Sequence, residues 1–379
     1  MTTLDRYIAR QYLFNVIALL VILFSFVVAV DVALNLDRFV RGAEHNLGAD
    51  GVDTIRKISL TTAGVFDIWW PRLLQLYVYL IGLVLVAGMG FTFTQLVRHR
   101  EMVAVLAGGV SLYRVMAPIL IVAAVMLGLK VIDQEFILSN PRIAPLLTRD
   151  PGDIGQRDWA EFPVLLAPDA QDRIWLARAF DPRRGELSDV TVWVRSGGQA
   201  QYAIHADRAV WRDGAWELTG SKVQSMELGA GGTPVLGGKD LPKPPARLET
   251  DLDPHGLKLR QFKVYGQLLS WSQVGEMLER TPEGSAERRS LQAARWARVS
   301  QIASALLALL ITMPFFLVRE PTNMLVQSLK CAPVGILSLM GGVLLSTVDW
   351  PLIPPGFAVF IPVLILIPVA IAVVSWMRT

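Results

Sequence analysis

The sequence predicts an α-helical membrane protein with six transmembrane helices, arranged three and three around an inserted antiparallel β-domain of the jelly-roll or sandwich kind. Three observations carry that expectation. Six apolar stretches, at about 13–36, 73–97, 112–132, 299–318, 325–348 and 357–377, come close to or exceed the roughly 20 residues needed to cross a bilayer. Between the third and the fourth the chain turns polar and alternates apolar with polar residues, the period of half-buried strands. Of the 379 residues 53% are hydrophobic, and the mean hydropathy of +0.42 lies above that of an ordinary soluble domain. The expected units are 1–132, 133–296 and 297–379.

The elements follow in order. Residues 4–13, LDRYIARQYL, place Leu4, Tyr7, Ile8 and Leu13 at helical spacing with Arg6 and Arg10 between them, which predicts a short interfacial helix feeding the first span. The first apolar run is longer than a signal-peptide core and no small-residue cleavage site follows it, so it is expected to stay as an anchor. Residues 37–72 are too polar to cross. Within them 52–68 suggest a helix on the outer surface, and Trp69-Trp70-Pro71 suggests an aromatic belt with a helix start behind it. Gly82, Gly88 and Gly90 in the second span, and Gly335, Gly341 and Gly342 in the fifth, fit either close helix packing or a place where helices slide.

The segment 95–114, QLVRHREMVAVLAGGVSLYR, organises the rest. It joins two spans through the cluster Arg98, His99, Arg100 and Glu101, which must face water. After Glu101, the residues Met102, Val103, Val105 and Leu106 fit one small helix near 98–110 across the mouth between two spans. Gly108 and Gly109 stop it, and Ser111 is placed to cap the next helix. Such an element suits the grip of a soluble partner.

In the insert, residues 173–180, 190–195, 202–211 and 216–226 alternate as strands, with turns at 182–185 and at Asp213-Gly214. Trp175, Val192, Val194 and Ile204 are the expected lining of an apolar groove. Residues 229–245 read as a Gly/Pro-rich linker, 257–266 as a last strand and 271–295 as a polar helix returning to the membrane.

Charge excludes some functions and leaves others open. The balance of 36 Lys+Arg against 33 Asp+Glu gives +3, and no basic run with interleaved aromatics supports nucleic-acid binding. With the first residues placed inside, basic residues divide almost evenly between the two sides, so loop charge alone does not orient the spans. Arg38 and Arg41, three apart at the outer end of the first span, fit either a pair snorkelling to lipid headgroups or a clamp for an anionic lipid, and Lys130 is a candidate third member. Asp31 lies about 18 residues into that span, roughly 27 Å along it, where solvation is the plainer reading. Arg142 and Arg149 fit either a solvated surface or the route from the membrane to the β-domain.

No catalytic constellation is present in the sequence. His45, His99, His205 and His255 are scattered without metal spacing, and Cys331 reads as a small buried side chain. The stretch 214–222 has the wrong spacing for a phosphate loop, and Gly237-Gly238-Lys239 is followed by Asp240 where Ser or Thr is needed. No cofactor or metal is expected in this chain, and any energy from ATP must come through another one.

The stretches LDRYIARQYL, REMVAVLAGGVSLYRVMAPIL, DQEFILSNPRIAP, RWARVSQIASALLALLITMPFFLVRE and PLIPPGFAVFIPVL together resemble the lipopolysaccharide-export permease family (LptF/LptG, YjgP/YjgQ). The resemblance spans nearly the whole chain. Its most specific piece is the acidic residue, short helix, glycine and serine of 101–111. Two departures are the doubled Gly108-Gly109 and the insert at 229–245.

The resemblance implies a multi-pass inner-membrane subunit of an ABC-type exporter with its jelly-roll in the periplasm. The implied partners are a sister six-span permease, a cytoplasmic ATPase dimer and periplasmic jelly-roll bridge proteins. The implied cargo is lipopolysaccharide or a similar large anionic lipid. Glu101, with Arg98 and Arg100 beside it, is implied to dock on the ATPase, and Arg38 and Arg41 match loosely the basic residues that family members carry at the outer end of the first span. The rival readings are a mechanotransmitting ABC subunit, which has four spans with its soluble domain after the first, and a membrane-anchored envelope scaffold, which needs neither six spans nor a coupling helix.

Overall fold

The computed structural model describes residues 2–47, 53–140, 142–155, 161–196, 199–225, 227–228, 234–235, 243–264, 269–281, 286–316, 331–337, 339–340 and 353–376. Helices α1 (Thr3–Leu47) and α2 (Thr54–Arg98) each run 45 residues. At 1.5 Å per residue each is about 68 Å long, more than twice the roughly 30 Å hydrocarbon core, so both project well beyond the bilayer. This corrects two expectations. The N-terminal interfacial helix is the first turns of α1, and the outer-surface helix expected at 52–68 is the first third of α2. Helix propagation explains both, because a polar stretch adjoining a span continues its helix at little cost where no breaker intervenes.

Polar pairs fasten the two long helices side by side. The Tyr12 hydroxyl donates to the Leu85 carbonyl at 3.0 Å, and the Asn15 amide donates to Thr92 Oγ1 at 2.9 Å. Packing is close enough that a Cβ on Gly88 would sit 2.8 Å from Val16 Cγ2, and one on Gly90 would sit 2.9 Å from the Phe316 ring. These glycines therefore serve close packing.

Pro71 lies inside α2 and has no N–H to give the carbonyl of Asp67. Arg149, only 3% exposed, takes that place: its Nη2 donates to Asp67 O at 2.7 Å and its Nη1 to Asp67 Oδ2 at 2.7 Å. The expected solvent-facing or route-lining role of Arg149 is thus replaced by a structural one. Its segment, with the single turn α5 (Ala144–Leu147), folds back so that Ile154 packs on Gly64 beside Phe39 and Trp69.

Helix α3 (Glu101–Ala107) joins α2 to α4 (Leu112–Ile132), with Gly109 at φ +73° in the bend, where glycine is free of Cβ strain. Ser111 stands at the N-cap of α4 without a side-chain cap bond. The helix continues as one π-helical turn, Asp133–Leu138. Glu135 on that turn accepts from the Trp271 backbone N–H at 2.9 and 3.0 Å and from Arg298 at 3.0 Å, fastening the exit of the first half to the start of the second.

The antiparallel β-domain lies between the two helical halves in the chain. Its main sheet contains β1 (Phe162–Pro168), β2 (Arg173–Asp181), β3 (Glu186–Ser196), β4 (Gln199–Arg212), β5 (Ala215–Thr219), β6 (Lys222–Ser225) and β9 (Arg247–Glu249). A second, two-stranded sheet pairs β7 (Glu227–Leu228) with β8 (Pro234–Val235). The strand order is β1-β2-β3-β4-β5-β9, with β6 also on β4, so the long β4 is shared by two partners along one edge. The expected hairpin at Asp213-Gly214 is present with φ +45° and +78°, the left-handed pair a tight two-residue turn requires. A core of Phe180, Trp175, Trp216, Val192 and Ile204 fills it, and the domain fits the expected jelly-roll.

Two further expectations are corrected here. Residues 254–264 form helix α6 (Pro254–Val264), not a strand, because Asp253 caps it: Gly256 N–H donates to Asp253 Oδ1 at 2.7 Å, and Pro254 sits where its missing N–H costs nothing. The last strand is the earlier β9. The polar helix expected at 271–295 is two helices, α7 (Trp271–Arg280), with a Ser270/Gln273 capping box, and the start of α8 (Ala286–Phe316).

Five described helices are long and apolar enough to cross a membrane: Thr3–His45, Thr54–Arg98, Leu112–Leu138, Arg288–Phe316 and Pro355–Ser375. The last comprises the turn α9 (Pro355–Ala358) and helix α10 (Ile361–Trp376). Of the expected fifth span at 325–348, residues 331–337 and 339–340 are helical, and the remainder lies outside the described residues, as does most of the linker at 229–245.

Candidate functional site

Two clusters of residues singled out in the sequence lie at opposite ends of the first three spans. At the hinge end, the bend between α2 and α3 forces Arg100 to a left-handed φ of +61°, an uncommon state for a residue with a Cβ. The bend leaves Arg98, His99 and Arg100 exposed and starts α3 at Glu101. Met102 turns inward and is 3% exposed, whereas Val103 is 54% exposed beside exposed Ala104 and Ala107. A seven-residue helix is thereby rooted by one face and bare on the other.

Glu101 is held from within the chain. The Tyr7 hydroxyl reaches both its carboxylate oxygens, at 2.9 and 3.1 Å. Arg114 Nε stands 3.8 Å from Asp5 Oδ1, a second link between the start of α1 and the start of α4. Among the described residues neither Arg98 nor Arg100 pairs with Glu101, so the neighbouring guanidinium groups are free to face a partner.

At the other end, α1 leaves helical geometry at Asn35, with φ −118° and ψ 20°. The side chains explain the break. Asn35 Nδ2 donates to Asp31 Oδ1 at 2.8 Å, and Trp69 Nε1 donates to Asp31 Oδ2 at 3.0 Å. Asp31, read as solvated from its position, is instead the acceptor that ties the kink to α2. One turn beyond it Arg38 and Arg41 are exposed while Phe39 between them is fully buried. Arg41 Nε donates to the Asp37 carbonyl at 3.1 Å.

Lys130 does not share that exposure. It is 8% exposed, with Nζ 3.4 Å from Gln301 Oε1 of α8. Among the described residues no hydrogen bond or ion pair joins Lys130 to Arg38 or Arg41. Three residues on, both carboxylate oxygens of Asp133 are buried without a hydrogen-bond partner among the described residues.

In the β-domain Trp175 faces Val192 across β2/β3, and Val192 faces Ile204 across β3/β4. These three are at most 3% exposed, and Val194 is half-buried. They line the apolar interior, which is packed shut there. Open space of about 450 Å³ lies instead along the edge strand β1, between Val164, Leu165, Leu166 and the α6 residues Leu257, Arg260 and Gln261. The interior is anchored by Asp169, whose carboxylate receives Arg173 Nε at 2.6 Å and Trp175 Nε1 at 3.0 Å. Burial works against its ionisation, but the Trp175 N–H, the Arg173 backbone N–H and the Arg173 guanidinium together hold it below the ordinary carboxylate range.

Tyr7, Asn35, Trp69, Glu135 and Asp169 were not identifiable from the sequence as members of these clusters. The partners of Tyr7, Trp69 and Glu135 lie far away in the chain, Tyr7 and Glu101 being 94 residues apart. Two pairs are local: Asp31/Asn35, at the i,i+4 spacing of one helix face, and Asp169/Arg173, four residues apart across the turn into β2.

These features define a multi-pass membrane protein: spanning helices on both sides of an inserted β-domain, with a short exposed helix at the far end of α4 from that domain. The chain belongs to the lipopolysaccharide export system permease family LptF/LptG, whose family model matches residues 6–376. A direct search of curated proteins gave no match. Family membership makes the chain a lipopolysaccharide-export permease, a component of a transporter that works with other proteins.

Proposed function

We propose that the chain is the permease subunit that draws lipopolysaccharide, or a similar large anionic lipid, from the outer leaflet of the inner membrane and passes it to a periplasmic jelly-roll bridge. In this reading 1–132 and 297–379 form the membrane body beside a sister six-span permease, and 133–296 stands in the periplasm. ATP is hydrolysed by a cytoplasmic ATPase dimer, and this chain itself carries no ATP site. The observation that carries the reading is α3: its apolar face is exposed, Glu101 heads it and Arg98 and Arg100 flank it, at the opposite end of α4 from the β-domain. A carboxylate there, meeting an arginine of the ATPase, forms a charge-assisted and potentially bidentate bond able to transmit movement.

Arg38 and Arg41 serve as phosphate ligands at the outer mouth, aimed by the Asn35 kink. Lys130, turned toward α8, supports the wall of that mouth more than its rim. The test is the complex reconstituted with its ATPase and sister permease. Glu101→Ala abolishes ATP-driven lipid release while the β-domain folds and the spans insert. Wild-type release together with wild-type ATPase retention would remove Glu101 from the coupling role.

A further inference from the structure

A cleft of about 820 Å³ opens where the β-domain rejoins the membrane body, bounded by α7, the first turns of α8 and the start of the last span. Among the described residues Glu279 and Arg295 supply its free charges, and Trp296, Phe357 and Phe360 supply its apolar floor. Arg288 also lines it but is already engaged, donating to the carbonyls of Leu278 at 2.8 Å and Thr281 at 2.9 Å, which closes the end of α7.

Arg295 is different. Its guanidinium lies 4.4 Å from the centroid of the Trp271 ring, and that ring packs edge-on to Trp296 at 5.5 Å. Its Nε is shielded from solvent, and among the described residues the guanidinium makes no hydrogen bond or ion pair. Stacking of this kind fixes the plane of the group while its N–H edge stays available for a planar or tetrahedral oxyanion. Glu279 is exposed and likewise unpaired among the described residues. Trp296 is 41% and Phe357 73% exposed, at the ends of two spans, where aromatic side chains sit at headgroup level. Gly356 lets the last span start against Trp296, since a Cβ there would lie 3.2 Å from the indole.

We propose that this cleft binds a zwitterionic aminophospholipid, with the lipid phosphate on Arg295, the ammonium on Glu279 and an acyl chain along Trp296, Phe357 and Phe360. The pairing of one free cation with one free anion selects the headgroup. A purely anionic headgroup would meet Glu279 as a like charge, and a lipid with several phosphates would find a single uncommitted guanidinium among the described residues lining the cleft. The site rests on placement of these spans in a membrane and is independent of the export reading.

The full-length chain in detergent, titrated separately with dioleoyl-phosphatidylethanolamine, dioleoyl-phosphatidylglycerol and lipopolysaccharide, tests it by native mass spectrometry of retained lipid. Phosphatidylethanolamine is expected to be retained severalfold over phosphatidylglycerol, and Arg295→Gln to weaken that retention roughly tenfold, the loss of one charge-assisted hydrogen bond. Glu279→Gln, at an exposed position that the fold does not depend on, is expected to erase the preference between the two phospholipids. Phosphatidylethanolamine retention in both variants within about twofold of wild type would overturn the proposal. So would displacement of phosphatidylethanolamine by lipopolysaccharide whose own retention falls in Arg295→Gln, because the cleft would then belong to the cargo.

Discussion

The Tyr7 phenol in the second turn of α1 is bonded to the carboxylate of Glu101, the first residue of α3, at 2.9 and 3.1 Å. One hydroxyl hydrogen shared between two oxygens fixes the carboxylate in direction without neutralising it. The base of the first span and the short helix are thereby linked, with Asp5 and Arg114 3.8 Å apart beside them. If α3 takes up movement from a partner, as proposed above, this link is the path by which it would reach α1, the helix that carries Arg38 and Arg41 at its far end.

Tyr7→Phe removes only that hydrogen bond, a loss of about 1 kcal/mol or roughly fivefold in the population of the linked state. Lipid release per ATP hydrolysed is expected to fall a few-fold while ATPase retention on the purified permease stays at the wild-type level. Glu101→Ala, which also removes the docking charge, is expected to lose coupling entirely. Side-by-side reconstitution of the two variants separates direction from contact; equal loss in both would place the whole effect in the tyrosine link.

Arg38 and Arg41 flank a fully buried Phe39, so the ring holds the backbone while both guanidinium groups stand clear of it. Replacing both by Glu is expected to block lipid extraction with complex assembly intact, read by site-specific crosslinking of lipid at the outer mouth. Asn35→Leu removes the side chain that bonds Asp31 and is expected to reduce extraction in the same assay by a smaller factor. Unchanged extraction in the double Glu variant would return the pair to snorkelling residues.

Much of this architecture was readable from periodicity and turn chemistry. Apolar length gave five of the six expected spans, period-two alternation gave β2 to β4 and, at 216–226, a stretch that divides into β5 and β6, and Gly109 and Asp213-Gly214 gave bends that the φ angles bear out. Helix extent was misjudged because polarity stops a membrane crossing without stopping a helix, as 54–68 of α2 demonstrate. The stretch 257–264 alternated like a strand, yet a single cap at Asp253 decided for helix, a local bond outweighing a weak period. Arg149 could not be placed from sequence at all, since its role exists only because Pro71 leaves a carbonyl unmet 82 residues earlier in the chain. Lys130 was assigned by its position along α4; its direction around that helix toward Gln301 depends on where α8 packs.

The β-domain is expected to lose stability in acid through Asp169. Its folded-state pKa lies below the ordinary value of 3.8, so the carboxylate contributes its full stabilisation above about pH 4 and loses it as pH falls through the lower, folded value. Its side chain is fully buried and that of Arg173 is 9% exposed, so Asp169→Ala leaves a cation without its partner and is expected to cost about 3–5 kcal/mol at neutral pH. Thermal unfolding of the full chain against pH, followed by tryptophan fluorescence, checks both. The variant's transition is expected to be lower at pH 7 and flatter than wild type below pH 4.

The lipid path through the β-domain is expected to follow strand β1. Trp175, Val192 and Ile204 are packed against one another and Trp216, leaving no room for an acyl chain while the sheet stays closed. At β1 the situation is different. The strand ends the sheet order, its register with β2 slips twice, and Leu166 has a φ of +48°. Leu165 and Leu166 are 71% and 62% exposed beside the cleft walled by α6. Irregular edge strands mark where a sheet stops pairing and where an apolar ligand can enter without breaking ladder hydrogen bonds. A photoreactive residue at 165 or 166 in the reconstituted complex is expected to capture lipid only while ATP is being hydrolysed, and one at 192 or 204 to capture none. Capture at 192 and 204 would mean that the sheet parts between its central strands during each cycle, making the interior itself the channel. Silence at all four positions would remove the β-domain from the lipid path.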